Sequence, residues 1–100
     1  MTLRRDERSK EFAEALAAKA LGFLAAEPER LDRFLALAGI NVADIRAAAA
    51  QPDFLAAVMD HLMTDESLLL AFAANEGIKP EAVVKAAHAL GIVPWERGFA

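Results

Sequence analysis

Apolar side chains recur every three or four residues along almost the whole chain, the period of an amphipathic α-helix. Phe12, Leu16, Ala20, Phe23 and Leu24 form the first stripe. Pro28 ends it, because proline has no amide donor and crowds the preceding turn. The same proline suits the first position of a second helix, which is expected to bury Leu31, Phe34, Leu35 and Ala38. Gly39 closes that helix, since glycine reaches the left-handed conformation that helix ends use. Asn41 is placed to cap a short third helix bearing Val42, Ile45 and Ala49.

The pattern restarts at Pro52, with Phe54, Leu55, Val58 and Leu62 on a fourth helix. Thr64 and Asp65 are cap-type residues and mark a break. A fifth helix carries Leu68, Leu69, Phe72 and Ala73 and ends at Gly77. Pro80 opens a sixth with Val83, Ala87 and Leu90, ending at Gly91, and Glu81 and Lys85 stand in the order that favours an i,i+4 pair. No segment alternates at period two, so no strands are expected. The fold class predicted is all-α: a bundle of five or six short helices over residues 1–91, with 92–100 as a C-terminal tail.

A shift of 38 residues lays Leu24 on Leu62, Leu31 on Leu69, Phe34 on Phe72 and Gly39–Ile40 on Gly77–Ile78. Two similar three-helix halves would give that match. So would the habit of glycine-ended helices to be followed by an apolar residue that closes the cap.

Composition sharpens the helical expectation: 24 of the 100 residues are Ala and 13 are Leu, with 5 Gly and 4 Pro. The absence of Cys excludes disulfides, Cys-ligated metals and cysteine nucleophiles. The formal charge of −4 gives no overall basic surplus for phosphate backbones. The basic start, Arg4, Arg5, Arg8 and Lys10, is interrupted by Asp6, Glu7 and Glu11, which suits a solvated helix and not a signal peptide. No uncharged apolar run is long enough to span a bilayer. A cytoplasmic protein without membrane contact is expected.

Little chemistry is on offer. Asp60, His61, Asp65 and Glu66 are the densest titratable cluster, and His61 and Asp65 would share a face on an unbroken helix. A break at Thr64 would part them, and helix capping accounts for the two later acids. His88 stands among alanines, and the chain has two Ser and two Thr without a nucleophile motif or phosphate loop. No catalytic residue, metal ligand or cofactor is expected, and the protein is read as not an enzyme.

Ala73, Gly77 and Val83 have the spacing of a helix-turn-helix corner. Its second helix would present Lys79, Glu81, Lys85 and His88, without the Arg, Asn or Gln that most often read bases. Nucleic-acid binding through residues 73–84 is therefore the runner-up function. Three consecutive leucines, Leu68 to Leu70, cannot share one stripe at about 100° per residue. Either their helix is buried all round or Leu68 and Leu70 face a partner. In the tail, Trp95 and Phe99 would anchor either on the helical body or on a partner. Leu68, Leu70, Trp95 and Phe99 are the candidate interaction surface.

The stretches Phe23–Leu31 and Arg33–Gly39, with Phe54–Val58 leading to Asp65–Phe72, resemble a family of short alpha-proteobacterial proteins known only as a domain of unknown function. The resemblance covers roughly residues 12–91, and its motifs are apolar. It implies no catalytic or binding residues. The function expected is a small protein-interaction or regulatory module acting through an apolar helical surface, on a protein partner or on a second copy of itself.

Overall fold

The computed structural model describes residues 5–92, with side chains from Arg8 onward. Helix α1 spans Arg5–Ala25, α2 Pro28–Ala38, α3 Ile45–Ala49, α4 Phe54–Met63, α5 Glu66–Glu76 and α6 Pro80–Ala89. A 3₁₀ turn, Val42–Asp44, leads into α3, and no strand occurs among the described residues. The Cα radius of gyration is 13.3 Å, close to the roughly 13 Å expected of a packed domain this size. The fold is the all-α bundle that the helical period predicts.

Local chemistry sets the helix ends. Pro28 and Pro80 occupy first turns, and Asp65 caps α5 by accepting from the Leu68 N–H at 3.1 Å. Gly39 and Gly77 adopt φ of 74° and 68°, a left-handed region that side chains with a Cβ resist. That turn lets the Ile40 N–H reach the Leu35 carbonyl at 2.8 Å, and the Ile78 N–H reach Ala73 at 3.0 Å. Ile92 repeats the bond onto Ala87 at 3.0 Å. This third Gly-Ile closure falls outside the 38-residue interval, so the dipeptide serves helix closure wherever it occurs. The halves share their 11-residue second helices but differ in the third: α3 has 5 residues and none buried, whereas α6 has 10 and buries Val83, Ala86 and Ala87.

The core departs from the expected stripes in informative ways. On α1 the covered face is Ala13, Leu16, Ala17, Ala20 and Leu24, while Phe12 is 55% exposed. Each residue turns about 100° around the axis, so Phe12 lies one step off the face that Ala13 occupies. Ala38, Val42 and Ala49 also face solvent, and Asn41 precedes the 3₁₀ turn without a capping side-chain bond. The helix covered on most sides is α4, not α5: Val58, Met59, His61, Leu62 and Met63 are all buried. It packs on α1, α5 and α6, with smaller contacts to α2 and α3. Glu81 and Lys85 form no salt bridge, and the ion pair seen among described residues is Lys19–Glu76 at 3.9 Å. Lys19 is largely exposed there, so that pair contributes little to stability.

Candidate functional site

The most extensive helix pairing joins α1 to α6. Small side chains make it possible: Ala13, Ala17, Ala86 and Ala87 are at most 3% exposed, and alanine lets helix axes approach closely. Towards the start of α1 the two helices leave a groove of about 470 Å³. Arg8, Ser9 and Phe12 line it from α1, and Ala82, Lys85, Ala86 and Ala89 from α6. Among the described residues its floor is alanine, its bulky wall is the exposed Phe12 ring, and Arg8 and Lys85 supply positive charge beside it.

A second set of depressions meets at His61. One, of about 260 Å³, is lined by Arg30, Arg33, His61, Asp65, Ser67, Leu68 and Ala71. A neighbouring one of about 360 Å³ has Phe34, Leu37, Ala38, Ala57, Asp60, His61 and Thr64 around it. The elements responsible are α2, the C-terminal turn of α4 and the first turn of α5. Thr64 ends α4 by donating its hydroxyl to the His61 carbonyl at 2.7 Å. Arg30 is held over the Phe23 ring at 4.4 Å, a contact in which the ring face attracts the guanidinium.

His61 is only 9% exposed and stands edge-on to Phe34, ring centres 5.2 Å apart. Burial pushes its pKa below the ordinary 6.5, and the charge of Arg33 acts in the same direction, while Asp65 and Asp60 draw it back up. The folded state thus prefers the neutral ring. Its contribution to stability is whole above about pH 6.5 and is lost as the pH falls through that value, where the unfolded chain takes up the proton first. Urea midpoints should accordingly be lower at pH 5.5 than at pH 7.5, and the difference should shrink in His61→Phe. An unchanged difference in that variant would assign the pH effect elsewhere.

The sequence candidates fare unequally. Asp65 is near His61 in charge but spends its carboxylate on the α5 cap, as the break at Thr64 implies. Leu68 is half-buried against the core and reaches the His61 depression, and Leu70 is 46% exposed. Leu69 between them is buried, so the three leucines point in three directions. Trp95 and Phe99 lie outside the described residues. His88 is exposed on α6. The corner between α5 and α6 has the anticipated construction, with Ala73 and Val83 buried around the left-handed Gly77. No cluster of three or more His, Asp or Glu side chains suited to a metal occurs among the described residues. No helix among them is long and apolar enough to cross a membrane.

Sequence reasoning missed both the α1–α6 groove and the His61 depressions. A signal for the groove was present: Ala82, Ala86 and Ala89 recur at i, i+4 and i+7 with nothing bulky among them. What no pattern in one chain reveals is that Phe12 stands beside that trench with its ring largely exposed.

Fold and surface together define a small all-α bundle with an apolar groove and a separate polar cleft. The chain belongs to the family described as Protein of unknown function (DUF3572), which matches residues 10–92. No curated protein and no solved structure matches it.

Proposed function

We propose that this protein is a non-catalytic interaction module that receives an acidic amphipathic helix of a partner protein in the α1–α6 groove. The observation that supports this most is Phe12, a large aromatic ring 55% exposed at the lip of an alanine-floored trench. A helix laid in such a trench buries its apolar stripe against Phe12, Ala82, Ala86 and Ala89. Aromatic side chains, Phe among them, are enriched where protein interfaces bury surface.

Charge selects the occupant. Arg8 and Lys85 flank the groove, and Lys85 has no salt bridge to Glu81 to compete with a ligand. Two copies meeting groove to groove would set these cations against each other, which disfavours self-association through this face. An acidic flank on the incoming helix relieves both charges.

A labelled amphipathic peptide with leucines at i, i+3, i+4 and i+7 and glutamates beside them tests the idea by fluorescence anisotropy. It should bind at least about tenfold more tightly than its lysine counterpart. Phe12→Glu and Ala89→Glu should each abolish the difference while the far-UV circular dichroism stays helical. Equal binding of the two peptides, or binding unaffected by Phe12→Glu, would refute the assignment. A concentration-dependent dimer sensitive to Phe12→Glu would give the groove to a second copy instead.

The corner at Gly77 supports a second reading, duplex binding by α6, because its packing has helix-turn-helix construction. The exposed face there carries Lys79, Glu81, Lys85 and His88, without the Arg, Asn or Gln that most often read bases. Salt-sensitive retardation of duplex DNA, lost in Lys85→Glu, would move the assignment to this face.

A further inference from the structure

We propose that the cleft where α2, α4 and the first turn of α5 meet binds the phosphate group of an organic phosphate monoester. Donor side chains from three helices line it: Arg30 and Arg33 from α2, His61 from α4 and Ser67 from α5. A tetrahedral oxyanion offers oxygens to non-coplanar donors, whereas a planar carboxylate satisfies one guanidinium edge. The start of an 11-residue helix adds its own positive end. Asp65 already takes the Leu68 N–H, so the N–H groups of Glu66 and Ser67 are the ones an anion would use.

His61 is the independent sign of a ligand. Its ring is nine-tenths covered and lines the cleft, yet its imidazole makes no hydrogen bond among the described residues. Its ring nitrogens are not among the fully enclosed polar atoms, so they open on the cleft, where a neutral imidazole has one N–H to donate. Asp65 and Glu66 lie at the same place. Their charges offset the two arginines, so the hydrogen-bond donors, and not a net charge, set the selectivity. Arg30 is fixed on the Phe23 ring at 4.4 Å and needs little ordering on binding.

The organic part has its own surface. The second depression shares His61 and continues over Phe34, Leu37, Ala38 and Ala57, with Leu37 69% exposed. A phosphate held at Ser67 and the arginines would lay an apolar substituent on that side.

The test is a titration of the ¹⁵N-labelled full chain at constant ionic strength in phosphate-free buffer, following the Glu66 and Ser67 amides and the His61 ring. Inorganic phosphate and phenyl phosphate should both give saturable shifts, with phenyl phosphate at least about threefold tighter through its apolar contact. Arg33→Ala and Ser67→Ala should each weaken binding about fivefold or more, with unchanged circular dichroism and melting, while Lys79→Ala should have no effect. Shifts that stay linear with concentration, or that persist unaltered in Arg33→Ala, would overturn the site. A benzoate response equal to that of phenyl phosphate would overturn its preference for phosphate.

Discussion

Replacing Phe34 with Ala should destabilise the protein by about 3–5 kcal/mol, the usual loss for a buried aromatic ring. Phe34 is 1% exposed and meets Phe54 edge-on at 6.0 Å as well as His61 at 5.2 Å. It is the main side chain by which α2 grips α4, since of the rest of α2 only Leu35 is fully covered. Truncation removes the ring's transfer energy and leaves a void that two rigid neighbours cannot fill. Against a total of roughly 5–15 kcal/mol for a domain, the variant should be close to unfolding at room temperature. Urea denaturation measures this directly. A loss below about 1 kcal/mol would mean that α2 is held by something else.

Ala17→Leu is expected to have the second largest effect, a loss of about 1–3 kcal/mol from overpacking. Ala17 is 0% exposed on the face of α1 that it shares with Ala13 and Ala20. The added isobutyl group has no space there without driving α1 away from its neighbours. Ala18 is next in sequence and exposed, so Ala18→Leu should stay within about 0.5 kcal/mol of the parent. The pair separates steric fit from helix propensity, because both substitutions are equally helical. Melting temperatures should follow, at about 4–8 °C per kcal/mol in a domain of this size. If the two variants melted together, the alanine face would not be a close-packed seam.

The helices and their ends were legible because their causes are local. Pro28 and Pro80 start helices, Gly39 and Gly77 end them, and Asp65 caps α5, each acting over a turn of chain. Which face each helix buries was less legible, because alanine fits either side. On α1 the aromatic ring drew the expected stripe onto Phe12, whereas Ala13 occupies the seam. Likewise the leucine run of α5 suggested a central helix, but α4 holds that place, with Met59, His61 and Met63 covered by several neighbours. Burial there is decided by how many partners surround a helix, and no single segment records that number. The His61 cleft combines α2, α4 and α5, so its donors are juxtaposed only after folding.

Mapping the amide shifts caused by the acidic amphipathic peptide on the intact chain is the most direct test of the interaction assignment. The expected result is a contiguous response from Arg8 to Phe12 and from Ala82 to Ala89, with Leu68 and Leu70 silent. Shifts centred on Leu68 and Leu70 with the α1–α6 groove unmoved would contradict it.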